Sequence, residues 1–387
     1  MVKHGTRNCC GVRRGARVTL NVGVNMLWCV PGEVGGSEEY FVRQLLGLAE
    51  VSGRCDVTAF VPRGFVAAHP DVARAVKVVE SDSDCRSRLR RIVVENTWLA
   101  TRTKDFDLVH HGGGTMPTRS ASPNVVTIHD LQFLTYPEYF TTTKRAYLGR
   151  RVPNAARRAT VITVPSAHVK SSVAASFGVD PERIVVVRHG IEQTLGTNPT
   201  PEAELRQRFG IRTSRVLVYP AITHPHKNHE FLLTLLAGPW SDPEISVVFA
   251  GGTGLADERV TRRIAELGLS ERVIRTGRVR PADRDGLIAM ADAVVFPSQF
   301  EGFGAPVLEA MTIGTPVVAS DSTALPEVIG DAGIVLPLVE GEWASALDVV
   351  RARRAELIAA GKTRAAQFTA RASAEDLIRA YELAVGN

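Results

Sequence analysis

Residues 296–321 read FPSQFEGFGAPVLEAMTIGTPVVASD, and the way this stretch alternates decides the fold. The apolar run AVVF (Ala293–Phe296) just ahead of it has strand character, and PSQFEGFG is a loop rich in glycine and polar residues. Ala305 and Pro306 then open a helix that Gly314 closes, following the tendency of proline to start helices and glycine to end them. PVVAS is the next strand. Strand, helix and strand within thirty residues predict a parallel pair joined by a crossover, the unit of a doubly wound sheet.

The same alternation runs outward in both directions. In the first half, RVTLNVGVN (from Arg17), DVTAFV, DLVHH, NVVTIH, TVITVP and RIVVVRHG are strand-like, and EEYFVRQLLGLAE has helical spacing of apolar residues. In the second half, RVLVYPA, ISVVFAGG, RVIRTG, AVVFPS and PVVAS alternate with helical segments. Continuous apolar strands of this kind belong to a sheet covered on both faces. The expected architecture is α/β, with two doubly wound, Rossmann-like domains facing across a cleft. The expected boundaries are a basic N-terminal tail (1–16), a first domain (17–193), a Pro/Thr/Gly-rich linker (194–204), a second domain (205–365) and a C-terminal helix (366–387) that packs back on the first domain.

With 387 residues, 44% hydrophobic and 22% charged, the chain reads as two ordinary soluble domains. No apolar run approaches the roughly 20 residues needed to span a bilayer. The five cysteines (Cys9, Cys10, Cys29, Cys55, Cys85) lack C-x-x-C spacing, which suggests reduced thiols in the cytoplasm rather than a disulfide framework. The net charge of +5 conceals an asymmetry: residues 1–190 carry +10 and residues 191–387 carry −5.

Open parallel sheets bind ligands beyond the carboxyl ends of their strands, so polar residues just after strands are the candidates. Glu301 lies in the loop after AVVF, and Glu309 lies roughly 6 Å further along the helix axis. Side by side, the two oxygens of a carboxylate suit a vicinal diol. Two carboxylates so separated suit two diols, such as those of a hexose and a ribose. The N–H groups of Gly302, Phe303 and Gly304, which the helix leaves unpaired, can cradle anionic oxygens. A solvated loop acid and an exposed helix acid would read the same way. HPHKNH (His224–His229) follows RVLVYPA, and its Lys227 and His226 are expected in the first turn of the next helix, facing a diphosphate. A zinc site or a plain surface loop is the alternative there. NVVTIHDL places His129 at a first-domain strand end, as a sugar contact or as a satisfied core histidine. Gly36, at the end of a Gly-Gly loop, can approach phosphate through its backbone alone. No G-x-x-x-x-G-K-[ST] loop and no G-x-S-x-G elbow is present, which argues against a P-loop ATPase and a serine hydrolase.

Together, EGFGAPVLE with its continuation to EVIGDAG, HDLQFLTYPEYFTTTKRAYL, TVITVPSAHVKSSV and PERIVVVRHGI resemble the retaining GT-B glycosyltransferases of family 4 (group 1), in particular their mannosyltransferase-like members. The resemblance covers nearly all of the chain after residue 16. It implies that Glu301 holds donor-sugar hydroxyls, Glu309 the ribose, Lys227 and Gly36 the diphosphate, and that His129 stands beside the reacting sugar, with Tyr136, Glu138 and Tyr139 on the acceptor side. It implies transfer with retained configuration and no bound metal or other cofactor. The co-substrate would be a nucleotide-diphosphate sugar, with GDP-mannose the first choice and UDP- or dTDP-sugars the alternative. One departure stands out: Ala221-Ile222-Thr223 occupy the place where many relatives carry Gly-Arg-Leu, and His224 or His226 is the substitute at hand. A sugar-nucleotide epimerase and a non-catalytic nucleotide-sugar binder remain the readings of another class.

The expected partners are the donor, a glycan or lipid-linked acceptor and an anionic membrane surface, with no nucleic acid. The stretch CRSRLRRIVVENTWLATRTK has six basic residues and one acid, with Trp98 and Leu99 interleaved, and Thr141–Gly178 has seven basic residues and no acid. Such a face suits anionic headgroups and a peripheral position on the inner side of the cell membrane. A solvated basic face is the bland alternative.

Overall fold

A computed structural model of the chain describes residues 19–51, 53–120, 123–192 and 194–386. The expected basic tail, with Cys9 and Cys10, lies outside the described residues. Thirteen strands form two sheets. The first comprises β1 (Leu20–Asn25), β2 (Cys55–Val61), β3 (Lys77–Glu80), β4 (Leu108–His111), β5 (Asn124–Thr127), β6 (Val161–Val164) and β7 (Ile184–Val186), in the order β3-β2-β1-β4-β5-β6-β7. The second comprises β8 (Arg215–Tyr219), β9 (Ile245–Phe249), β10 (Val273–Arg275), β11 (Ala293–Phe296), β12 (Val317–Ser320) and β13 (Ile334–Leu336), in the order β10-β9-β8-β11-β12-β13. The paired strands in both sheets run parallel.

Each sheet reverses its winding between its first strand and its fourth, at β1/β4 and at β8/β11. At such a switch point neighbouring crossover helices depart to opposite faces, which opens a crevice at the strand ends. The central strands are buried on both faces: every residue of β4, β5, β6, β9, β11 and β12 is buried. That explains their uninterrupted apolar sequences. Separate apolar cores cover each sheet, one built around Val24, Phe41 and Tyr381, the other around Val218, Leu233 and Val294.

The helix Glu202–Phe209 begins inside the segment expected to be a linker, and the last helix, Ala370–Gly386, packs against the helix Gly36–Glu50 of the first sheet. Tyr381, Leu377 and Ile378 of that last helix belong to the first sheet's core.

Two expectations are corrected. His226 and Lys227 do not lie in a helix: they form a 3-10 turn, Pro225–Lys227. Asn228 then breaks the turn with φ 54°, and the helix starts at His229. Pro225 fixes the turn and Asn tolerates the left-handed backbone, so the lysine is not set against a helix dipole. Trp98 and Leu99 do not face outward with the arginines. They belong to a π-helical turn, Glu95–Leu99, and pack inward with Phe60 and Phe106. The exposed apolar residues there are Leu89 and Val93, 77% and 60% exposed, one helical turn apart on the helix Arg88–Val94.

Candidate functional site

The loops after β1, β4, β5, β8 and β11 converge between the two sheets. The loop after β11 is held from both sides. Gln299 N–H donates to the His226 carbonyl at 2.7 Å, Glu301 N–H donates to Thr323 Oγ1 at 2.8 Å, and Ser166 Oγ, from the first domain, donates to the Gly302 carbonyl at 2.8 Å. Gly302 is needed for a steric reason: a Cβ there would lie 2.3 Å from the carbonyl oxygen of His129. The two halves of the molecule thus touch backbone to backbone at the expected reaction centre. Gly304 has φ 96°, a conformation natural to glycine. The N–H groups of Gly302, Phe303 and Gly304 make no hydrogen bond among the described residues, which leaves three donors at the start of the helix Ala305–Ile313.

Glu301 and Lys227 are brought together: Lys227 Nζ donates to Glu301 Oε1 at 2.5 Å, with both side chains largely buried. The lysine's own carbonyl accepts from Tyr219 Oη at 2.6 Å, and the same hydroxyl lies 3.0 Å from Ser298 Oγ. The cation and the carboxylate are therefore placed by β8 and β11, the two strands at the switch point.

His129 follows β5 and is half-buried. Its Nε2 donates to the Gly112 carbonyl at 2.9 Å, and burial pushes its pKa down to about 4 despite that bond. The imidazole is neutral, with its proton on Nε2, and its Nδ1 makes no hydrogen bond among the described residues. It sits among the rings of Trp28, Tyr40 and Phe41, each 5.6–5.8 Å away. His226 is also neutral: burial, then Lys227, lowers it to about 3. His224 is lowered by burial and by the same lysine. Neither histidine supplies a fixed charge in place of the absent arginine. Among the described residues no group of three or more His, Cys, Asp or Glu is arranged to hold a metal ion.

Tyr136 and Tyr139 stack at 5.2 Å and nearly parallel; Tyr136 meets Phe300 edge-on, and Tyr139 lies 6.5 Å from the His226 ring. This pair lines the cleft opposite the loop after β11. Glu138, between them in sequence, is exposed and makes no hydrogen bond or ion pair among the described residues. Gly36 opens its helix, is exposed, and has no atom within 4 Å of where a Cβ would stand.

Glu309 lies apart from Glu301, in a buried ionic cluster whose partners come from distant parts of the chain. Its Oε1 accepts from Arg43 Nη2 at 2.7 Å, and its Oε2 lies 3.7 Å from Arg284 Nη1. Burial alone would raise its pKa, but Arg43 and then Arg284 outweigh it and hold the carboxyl below the ordinary range. Arg43 is 2% exposed, also donates to Glu192 at 3.1 Å, and keeps Nη1 without a partner among the described residues. Sequence reasoning also passed over His189. It stacks flat on Phe303 at 4.4 Å and lies 4.2 Å from Tyr40, and so joins the donor-side loop to the first domain. The only signal for it was its place directly after a strand.

The sequence family described as Glycosyl transferases group 1 matches residues 201–350, and the one described as Glycosyltransferase Family 4 matches residues 34–195. The O-antigen chain mannosyltransferase B of Escherichia coli is 30% identical over 242 residues, which is 62% of this chain and 63% of the relative. The match therefore spans slightly under two thirds of that protein's length. The O-antigen chain mannosyltransferase RfbU of Salmonella typhimurium is 27% identical over 327 residues, 81% of this chain and 86% of the relative. Among solved structures, Anabaena Alr3699/HepE in complex with UDP and glucose superposes with a TM-score of 0.73 at 20% identity, covering 94% of this chain and 99% of that one. WaaG, a glycosyltransferase involved in lipopolysaccharide biosynthesis, gives 0.69 at 17% identity over 93% and 98%. At such identities these two structures speak for the fold alone.

Proposed function

Because the chain belongs to the family 4, group 1 glycosyltransferases and has their GT-B fold, we propose that it transfers a hexose from a nucleotide-diphosphate sugar to a glycan or lipid-linked acceptor, with retained configuration and without a metal. The observation that carries this reading is the Lys227–Glu301 pair at the β8/β11 switch point, facing His129 across the line where the domains touch. Lys227 and the free N–H groups of Gly302, Phe303 and Gly304 supply positive potential where a leaving diphosphate accumulates charge. Gly36 adds a backbone N–H from the first domain. Glu301 accepts from sugar hydroxyls, and its bond to Lys227 keeps it aimed. Glu309 holds the ribose. His129, neutral and fixed by Gly112, offers Nδ1 as an acceptor beside the reacting carbon and adds no positive charge that would oppose an oxocarbenium-like centre. The stacked Tyr136 and Tyr139 make an apolar face suited to an acceptor sugar ring. The leaving diphosphate takes the acceptor's proton in this reading, so the reaction needs no paired acid and base carboxylates. With the histidines neutral, Lys227 is the fixed cation of the loop after β8.

Mannose from GDP-mannose is the donor we favour, on the similarity to O-antigen mannosyltransferases. A UDP-sugar is the alternative, since HepE, of the same fold, binds UDP and glucose. The basic helix Arg88–Val94, with Leu89 and Val93 exposed and Arg88 resting over Tyr147 at 4.8 Å, is the face we assign to an anionic membrane surface. No helix among the described residues is long and apolar enough to cross a membrane.

A thermal-shift titration with GDP, UDP, ADP and dTDP and their sugars tests the donor, because stabilisation grows with ligand concentration over Kd. One base should stand out. A rise with UDP but not GDP overturns the mannose assignment, and no rise with any of them overturns donor binding altogether.

A further inference from the structure

Glu309 is assigned above to the ribose, yet in the structure its nearest partner is an arginine from the opposite domain. Arg43 lies in the middle of the helix Gly36–Glu50, two turns beyond the glycine assigned to the diphosphate. Its guanidinium is almost fully buried, donates to Glu309 Oε1 at 2.7 Å and to Glu192 Oε1 at 3.1 Å, and lies 3.6 Å from Glu39. On the far side, Arg284 lies 3.7 Å from Glu309 Oε2, at ion-pair rather than hydrogen-bond distance, and spends its own hydrogen bonds on Asp285. So Oε1 is committed, and Oε2 is near a cation but accepts no hydrogen bond among the described residues.

We propose that Arg43 is a positioning residue for the nucleotide: from the first domain it fixes the Glu309 carboxylate by Oε1, so that Oε2 is presented, ionised, to the ribose hydroxyls. This rests on the reading that Glu309 holds the ribose. A carboxylate on a three-torsion side chain has several rotamers, and a charge-assisted bond to a buried guanidinium removes that freedom before the ligand arrives. The placement also makes ribose recognition a property of both domains. The arginine that aims the acid belongs to the same helix whose first residue faces the diphosphate, so the helix Gly36–Glu50 acts on the nucleotide at both its phosphate and its sugar. Glu192, in the crossing between the domains, holds Nε of the same guanidinium and keeps its plane fixed.

The experiment measures, by calorimetry, the affinity of the intact chain for whichever of GDP and UDP binds more tightly and for its 2′-deoxy form. Wild type, Glu309→Gln, Arg43→Met and Arg43→Lys are compared, and a thermal unfolding scan of each checks the fold. Wild type should prefer the ribonucleotide by about tenfold or more, the loss expected when a bond to a charged group goes unmade. Arg43→Met should cut that preference to about threefold or less while binding of the deoxy form stays within about twofold, and Arg43→Lys, which keeps the charge, should restore part of it. If both Arg43 variants keep the wild-type preference, the inference is overturned. It is also overturned if both lose ribo and deoxy forms equally, because that is the mark of a merely structural role. If wild type itself shows no preference, or Glu309→Gln retains it, the ribose assignment of Glu309 fails first, and the role of Arg43 falls with it.

Discussion

Replacing Gly302 by alanine tests the closeness of the two domains at the reaction centre. Its backbone is not in the left-handed region, so alanine is tolerated locally, and the variant probes the close approach alone; Gly304, at φ 96°, would confound the two effects. The new methyl would start 2.3 Å from the His129 carbonyl, where real contacts stay beyond 3.0 Å, so the loop after β11 must recede from the first domain by about 0.7 Å. That movement takes the bond from Ser166 Oγ to the Gly302 carbonyl, now 2.8 Å, to the edge of hydrogen-bonding range, a loss of roughly 0.5–1.5 kcal/mol. The loss is about one hydrogen bond in a loop, so the melting temperature should fall by only a few degrees. Turnover should suffer far more, because Glu301 moves with the loop while His129 does not. A displacement approaching 1 Å costs on the order of 100-fold in rate. The assay is release of nucleoside diphosphate at saturating donor and acceptor. A kcat within about threefold of wild type would refute the claim that this contact sets the catalytic geometry.

Glu301→Ala should lower kcat by at least about 100-fold while changing free nucleoside diphosphate affinity by under tenfold, because the acid touches sugar and not nucleotide; equal losses in both would remove it from the sugar. Stability should decline on acidification. His110 and His111 are buried and His129 is half-buried, with folded-state pKa values of about 3, 4 and 4 against an ordinary 6.5. Between pH 6.5 and about 4 the unfolded chain therefore binds protons that the folded chain refuses, and stability falls as pH drops through that window. The loss at pH 5 is on the order of 2 kcal/mol for each imidazole, and a urea midpoint equal at pH 7.5 and 5 would contradict it. Reversing Arg88 and Arg90 to glutamate should weaken cosedimentation with phosphatidylserine vesicles at least tenfold, at about 1 kcal/mol for each arginine removed. Undiminished binding would put the membrane face elsewhere.

The sequence was most legible where burial leaves the chain little choice. β11, the loop and the helix Ala305–Ile313 stand as read from Phe296–Asp321, because an apolar strand, a glycine loop and a Pro-to-Gly helix admit few other structures. β3 and β13 escaped notice because they are edge strands of four and three residues, only half-buried, with no continuous apolar run to mark them. The helical placing of Lys227 failed at Asn228, whose left-handed backbone is a local choice that a strand-to-helix pattern does not announce. Trp98 and Leu99 were read outward because four arginines precede them, although aromatic and leucine side chains after a basic turn serve equally well to pin it inward. For the candidate site, residue types and their places after strands were legible, but partners were not. Arg43 and Glu309 are 266 residues apart, and nothing local in EEYFVRQLL says that its arginine is buried against an acid.

The return of the helix Ala370–Gly386 to the first domain bears on how the molecule is made. Leu377, Ile378 and Tyr381 cover a face of the helix Gly36–Glu50, and Tyr381 also bonds His110, a buried imidazole in β4. On the ribosome the first domain emerges early but lacks this cover until synthesis has passed residue 381. The second domain, whose core draws on residues from Ile191 to Phe368, can close first. The order of completion is thus the reverse of the order of synthesis. A released chain ending just after Phe368 would present a closed second domain tethered to a first domain with an open apolar seam, the species that chaperones are expected to hold.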